Sequence, residues 1–519
     1  MYMQKKLLHR SFYSFFLVAF STVFILFVSC KPSHNDFTDL SAIKVPPGFK
    51  IDKVVSGLNF PTSITWDNQQ NLYVAEAGGG FLQEPSPARI LKVDHGNTKE
   101  IVNLTARGLV APVIGMTFYN NYFYITHRAA NMSGAVSRIT KDGSGITQIL
   151  SGFLDASAEH PLNDIRMGPD GRMYVAVGPA SNSAVVGPDI EPFIARTPSL
   201  HTTSAKDLVL LGKNFKTEDF RTKDNLTDSV FTGAYVPFGV STTPGQIIHG
   251  TNKPGGAIVS FDPNNAEGTL QTYAYGLRNV IGFAWGHNGD MYAAVNGFDV
   301  RGSRPVKDTY DATYKIIKGT WYGWPDFSAT LEPLTDPKFE VKDEFQAQVY
   351  INGTPQGKNL GFLIDHKASG LTSPDKSLVM GLHDFHTSPA MPDIAPYSWG
   401  EFSGHIFIPE WGDLTPPTDP DITRVGYKIV EIDPAQKRVT PFLRNNVDIP
   451  GSEQGLAGKA LERPFDVRFG PDGDMYIVDY GQVKINTDRK KQGREPYEYI
   501  AGTGVIWKVT KIQKENVKY

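Results

Sequence analysis

His160-Pro-Leu-Asn-Asp-Ile-Arg-Met-Gly-Pro-Asp-Gly-Arg-Met-Tyr-Val-Ala-Val-Gly178 is the stretch on which the fold turns. It reads as an apolar strand, a Pro-Asp-Gly turn and a second apolar strand. Variants recur. The first is Thr62-Ser-Ile-Thr-Trp-Asp-Asn-Gln-Gln-Asn-Leu-Tyr-Val-Ala-Glu76, and the second runs from Val113 to His127. The opening stretch is the third, with its strand starting near Leu162. The fourth is Ile281 to Asn296. A weaker fifth joins Asp393–Ser398 to His405–Glu410, and the sixth is Phe465 to Asp479. A third strand follows most copies, as in Ala88–Asp94, Ala257–Asp262, Tyr427–Asp433 and Val505–Val509. A fourth often follows, as in Lys99–Leu104 and Leu270–Tyr275.

Six units of four antiparallel strands predict an all-β fold, a six-bladed β-propeller. The chain ends without a fourth strand for its last unit, while Phe49–Val55 is a spare strand ahead of the first. Pairing the two closes the ring and removes an exposed edge. The composition agrees: 519 residues with 50 Gly, 36 Pro and 12% aromatic residues describe a strand- and loop-rich chain. Net charge is −3, and no basic run suggests a nucleic-acid partner. Two long excursions, about 180–255 and about 328–392, interrupt the repeat as functional-length loops do.

The only cysteine is Cys30, so no intrachain disulfide forms. Lys5, Lys6 and Arg10 precede an apolar run that ends at Phe27-Val28-Ser29-Cys30, a pattern like the lipobox of exported lipoproteins. The expectation is a signal peptide over 1–29, lipidation at Cys30, a tether over 30–44 and a membrane-anchored, exported propeller over 45–519. An uncleaved transmembrane helix also accounts for the apolar run, though not for a sole cysteine at its end.

Strand order separates two faces. The Pro-Asp-Gly turns share one. Residues just before first strands and just after second strands share the other: Glu159, His160, Arg278, Asn279, His386 and Arg463, then Glu76, Asn296, Asp299, Arg301, Glu410 and Asp479. Convergent polar groups at a concave mouth mark a site. His160 is a candidate general base with Glu159 beside it; a loop histidine bonded to backbone is the other reading. Arg278 and Arg463 are anion clamps or structural cations. Gly297, Phe298 and Asp299 lie in a loop with oxygen ligands suited to Ca²⁺, or one closed by its own hydrogen bonds. His383 and His386 read as two ordinary loop histidines sooner than as a metal pair. Trp321-Tyr-Gly-Trp-Pro325 follows a third strand and belongs on the turn face as a structural segment.

Taken together, Val45-Pro-Pro-Gly-Phe-Lys50, His160 with Gly168-Pro-Asp-Gly171, Tyr275-Gly-Leu-Arg-Asn279, Tyr322-Gly-Trp-Pro325 and Arg463-Pro464 resemble the soluble quinoprotein glucose dehydrogenase and L-sorbosone dehydrogenase family. The resemblance implies a six-bladed propeller that uses pyrroloquinoline quinone (PQQ) and Ca²⁺ to oxidise a carbohydrate or alcohol, with an external electron acceptor. It implies that His160 takes the hydroxyl proton, that Arg278, Asn279 and Arg463 contact PQQ, and that calcium sits at Gly297-Phe298. The chain departs from the family pattern at four places. Val110-Ala111 stands where a glutamine is usual, Gly178-Pro179 replaces Gly-Asp, Phe465 replaces an arginine, and Glu410-Trp411-Gly412 lacks a lysine for which Arg424 is the substitute. Two other functions suit a propeller: a cofactor-less binder of glycans or proteins, and a metal-dependent lactonase-like hydrolase built on Glu76, Asn163 and Asp479.

Overall fold

Asp67, Asp170 and Asp472 each sit at the first turn of a repeat and do the same work. Asp170 accepts the Arg172 amide at 3.1 Å through one oxygen and the Tyr174 hydroxyl at 2.8 Å through the other. Asp472 does so with Asp474 and Tyr476, and Asp67 with Asn71 and Tyr73. The recurring Tyr of the second strand therefore clamps the turn that precedes it. Gly171 and Gly473 close these turns at positive φ, where a side chain is strained.

The computed structural model describes residues 42–512, apart from 80–85, 223–227, 308, 421–423 and 493. The expected signal peptide and Cys30 lie outside the described residues. Six four-stranded antiparallel sheets form the six blades, with inner strands Pro61–Trp66, Met116–Tyr119, Leu162–Met167, Asn279–Trp285, Asp393–Ile394 and Pro464–Phe469. Phe49–Leu58 pairs along its length with the final strand, Gly504–Lys511, and completes blade six. Ile43–Lys44, within the stretch expected as tether, adds to the outer edge of blade five opposite Asn445 and Arg444. Apolar seams between blades carry the core. One packs Trp507, Ile477, Trp399, Phe407 and Phe442 between blades five and six.

The axis is not open. Asp164-Ile-Arg166 and Asp466-Val-Arg468 occupy the inner strands of opposite blades, three and six. Arg468 reaches Asp466 at 2.8 Å and, across the axis, Asp164 at 2.8 Å. Arg166 joins Asp164 at 2.7 Å and Asp393 of blade five at 3.3 Å, and Ser63 of blade one donates to Asp466 at 3.1 Å. These buried charges are paired and hydrogen-bonded, as burial requires. They close the channel one layer below the mouth.

The first excursion leaves blade three after its second strand. The second leaves blade four after Asp311–Ile316 and ends before that blade's fourth strand, Val379–His383. The two meet in one sheet, in which Asn214–Glu218 pairs with Ser229–Gly233 on one side and Gln348–Ile351 on the other. Phe215, Leu210, Val349 and Ile364 pack in a common core. Here the structure corrects the placement of Trp321–Pro325. After Ile316 the chain climbs beside the outer strand of blade three, where Gly319, Tyr322 and Trp324 donate to the carbonyls of Tyr273, Tyr275 and Gly276. Trp321 and Trp324 are buried in the core of the excursions, away from the turn face. Strand alternation gave no sign of this climb, because it depends on a bridge between non-adjacent segments.

Trp507 is fully buried in the closing strand and donates to Asp479 at 3.3 Å. Trp507→Ala is expected to cost about 3–5 kcal/mol, read as a lower urea midpoint with an unchanged slope.

Candidate functional site

The mouth opposite the Pro-Asp-Gly turns is a cleft of about 240 Å³. One wall is ionic and comes from blades three and four with the first excursion. The other is aromatic and comes from blades five, six and one.

Arg301 is the centre of the ionic wall. Its guanidinium bonds Glu159, Asp189 at 2.7 Å and Asp299 at 2.9 Å, all nearly buried. Arg278 bonds the same Asp299 oxygen at 2.7 Å and the Asn182 side chain at 2.9 Å. His386, at the left-handed φ of 63°, lies 3.6 Å from Asp299 and 3.3 Å from Asp419. Burial opposes ionisation of Asp299, but Arg278 and Arg301 outweigh it and hold the carboxylate far below its usual range. Burial likewise opposes charge on His386, yet Asp299 and Asp419 raise it to about 10, so it is an imidazolium at neutral pH.

His160 lines the same cleft and is mostly buried. Its Nδ1 lies 2.7 Å from the Pro179 carbonyl, which accepts only if Nδ1 carries the proton. That tautomer leaves Nε2 as an acceptor, 3.5 Å from Glu159 Oε1. Burial, with Arg278 and Arg301, pulls His160 down to about 4 against the pull of Glu159. Glu159 itself is held ionised: burial opposes this, and the Arg301 guanidinium overcomes it. Gly178 is required here, because a Cβ would sit 2.5 Å from His160 Cβ and 2.6 Å from Asn279 Oδ1. Where the resembled family has an aspartate to orient the histidine, this chain uses the carbonyl of Pro179.

Of the sequence-predicted residues, Glu159, His160, Arg278, Asn279 and Asp299 all line the cleft. Asn279 accepts from Asn163 at 3.1 Å. Arg463 and Arg424 do not line it, which corrects their expected part in holding a cofactor. The Arg463 guanidinium donates to the carbonyls of Asp413 at 3.0 Å and Gly412 at 3.3 Å and lies over the Trp411 ring at 4.3 Å. Arg424 is spent on Glu453 and the Tyr427 hydroxyl. Both anchor the loop after the second strand of blade five. The expected calcium loop is likewise occupied. Gly297 donates to Asp311 at 2.6 Å, the Phe298 carbonyl accepts from Thr309 at 2.9 Å, and Asp299 is matched by two guanidiniums. Asn296 Oδ1, at the start of this loop, is buried without a hydrogen-bond partner among the described residues.

The three residues of the lactonase reading are each engaged with other partners. Glu76 binds Arg89 and the Asn59 amide, Asn163 binds Asn279 and the Val280 carbonyl, and Asp479 caps the amides of Glu462 and Arg463. Among the described residues, no three His, Cys, Asp or Glu side chains converge as metal ligands. His383 and His386 also part company: His383 is buried between Thr313 at 2.9 Å and Glu410 at 2.8 Å.

The aromatic wall was not legible. Trp411, Phe465 and Tyr480 face the cleft with Tyr497 and Tyr499, which belong to a hairpin, Val483–Ile485 with Tyr497–Tyr499, inserted in blade six. Beneath the lining lie four buried polar atoms with no partner among the described residues: Asn296 Oδ1, Trp411 Nε1, Thr418 Oγ1 and Glu495 Oε1. Buried polar atoms are paired as a rule, so these four are positions at which a ligand's polar groups would find partners.

No protein-family model matches the chain, and no curated protein matches it. Among solved structures it is similar to the holo PQQ domain of pyranose dehydrogenase from Coprinopsis cinerea. The TM-score is 0.50 and the identity 14%, over 90% of this chain and 97% of that one. It is similar to a calcium structure of Trichoderma reesei Carbohydrate-Active Enzymes Family AA12, with TM-score 0.51 and 13% identity over 91% and 97%. The PQQ-bound aldose sugar dehydrogenase of Streptomyces coelicolor aligns over 90% and 99% at 16% identity and TM-score 0.46. This protein is thus an all-β, six-bladed propeller with the fold of the PQQ domain of pyranose dehydrogenase.

Proposed function

We propose that this protein is a quinoprotein dehydrogenase that oxidises a hydroxyl of a sugar or related alcohol, with PQQ as hydride acceptor and His160 as base. The observation that carries this is His160 itself, a buried imidazole whose Nδ1 proton is fixed on a carbonyl and whose Nε2 accepts beside the cleft. The neighbours of the same fold that are described with PQQ or calcium support the reading.

The cleft residues fit the cofactor by chemistry. Trp411 Nε1 and Thr418 Oγ1 are donors without a partner among the described residues, suited to carboxylates. Arg278 and Arg301 face the cleft with their charge already matched, so they orient a ligand more than they attract one. Asn296 Oδ1 is a side-chain oxygen, free among the described residues, that would serve calcium, with Asp299 already matched by Arg278 and Arg301. Bound PQQ would supply the two-electron acceptor for hydride. The substrate hydroxyl donates to His160 Nε2, and its proton moves there as the carbonyl forms. Glu159, held ionised by Arg301, stabilises the imidazolium electrostatically. Pro179 keeps the ring from turning.

The test is to titrate purified protein with PQQ and Ca²⁺, followed by heat and absorbance, and then to assay dye reduction across a sugar panel. His160→Ala is expected to lower kcat by about 10²–10⁴-fold and to leave PQQ affinity unchanged. Absence of PQQ binding would overturn the reading. The acid limb of kcat/KM is expected near pH 4, with a plateau through neutrality, since His160 is neutral above that value.

The two histidines also make opposite contributions to stability. His160 titrates lower in the folded state than unfolded. Its contribution is complete above about pH 6.5 and is lost as pH falls toward 4. His386 titrates higher when folded, so its contribution is complete below about pH 6.5 and is lost as pH rises through 10. His386→Gln is expected to flatten the decline of the thermal midpoint between pH 7 and 10. A wild-type slope in that variant would remove His386 as its source.

The lipobox-like Phe27–Cys30 supports export and anchoring by lipid. Metabolic labelling with palmitate is expected to mark the wild type and to leave Cys30→Ala unlabelled.

A further inference from the structure

The hairpin inserted in blade six carries a carboxylate that the proposed chemistry does not use. Glu495 is 8% exposed and lines the cleft. Its Oε2 accepts from the Tyr499 hydroxyl at 3.3 Å. Its Oε1 is buried and has no hydrogen-bond partner among the described residues. Arg489 holds the segment by donating from Nε to the Glu495 carbonyl at 2.9 Å. A buried carboxyl oxygen without a donor destabilises a fold unless a ligand supplies one. Burial pushes this carboxyl up to about 7, which agrees with an environment that lacks strong donors.

The surroundings define the ligand. Tyr480 stands 6.2 Å from Tyr499 and 6.1 Å from Trp411, centroid to centroid, and its hydroxyl is fixed on the Gly79 carbonyl at 3.3 Å. These rings line the cleft beside one polar acceptor. A ligand that satisfies both has an apolar ring face and hydroxyl donors on its edge. A cationic ligand is disfavoured by Arg128 and Arg489, whose charges act on Glu495. An anionic group brings no proton to Glu495 Oε1 and so cannot be the missing donor.

We propose that Glu495 is a substrate-recognition residue, accepting a hydroxyl of a neutral sugar ring that lies against Tyr480 and Tyr499. The inference rests on the sugar chemistry proposed for the cleft and adds the residue that reads the ring. It assigns recognition to blade six and proton removal to blade three, across the same mouth.

The experiment is calorimetric titration of the full-length protein, without added PQQ, with neutral monosaccharides and their deoxy derivatives. At least one monosaccharide is expected to bind, and one deoxy derivative is expected to bind about tenfold more weakly, as when a buried polar group loses its partner. Glu495→Gln and Glu495→Ala are expected to weaken the same sugar by about tenfold or more, with the thermal midpoint unchanged or raised. A purely structural glutamate would instead lower the midpoint in both variants. Unchanged sugar affinity in both variants, a midpoint that falls together with affinity, or failure of every sugar to bind the wild type overturns the proposal.

PQQ binding, followed by absorbance, is independent of these readouts. If PQQ does not bind yet sugar affinity still depends on Glu495, the redox reading falls and this one stands. If PQQ binds and dye reduction keeps its KM in the Glu495 variants, the reverse holds.

Discussion

The ladder between Phe49–Leu58 and Gly504–Lys511 is the constraint on which everything else depends. It joins the two ends of the repeat, turns six hairpin-linked sheets into a ring and gives blade six its fourth strand. Only a closed ring has an axis, and only an axis brings inner strands from opposite blades within reach of one another. The Arg468–Asp164 contact across the centre follows from closure. It seals the channel one layer down, so the mouth becomes a cleft with a floor instead of a pore.

Within that cleft the ionic wall is balanced. Three carboxylates, Glu159, Asp189 and Asp299, meet Arg301, and Asp299 is shared with Arg278. Such a hub fixes positions more than it adds stability, because removing charges from water offsets most of what their attraction returns. What it fixes is useful to a base: Glu159 stays ionised beside His160, while Pro179 sets the tautomer. The opposite wall is aromatic, with Lys490, Arg494 and Glu495 of the inserted hairpin beside the rings. A ligand in this cleft meets acid–base groups on one side and ring faces on the other.

Much of this was legible in the chain. The Asp-turn-Tyr repeat is local, so its period and strand order could be read directly, and strand order alone sorted Glu159, His160, Arg278, Asn279 and Asp299 to one face. The ring-closing strand was legible as the one segment without a partner. Arg463 was also sorted to that face, but its side chain turned under the Gly412 and Asp413 carbonyls. Strand order gives the position of a Cα, not the direction of a long side chain. Glu495, Tyr497 and Tyr499 escaped notice because they lie on an inserted hairpin that breaks the period.

The sequence by itself determined the number of blades, the closure of the ring and the face on which chemistry gathers, because these follow from local alternation and turns repeated six times. Tertiary structure decided which charges are spent and which are available. Arg301 collects partners from residues 159, 189 and 299, and the two excursions meet only through the pairing of Asn214–Glu218 with Gln348–Ile351. Such pairings join segments far apart in the chain, and no periodicity records them. That is why His160 could be singled out from the sequence, while the cleft it lines had to be seen folded.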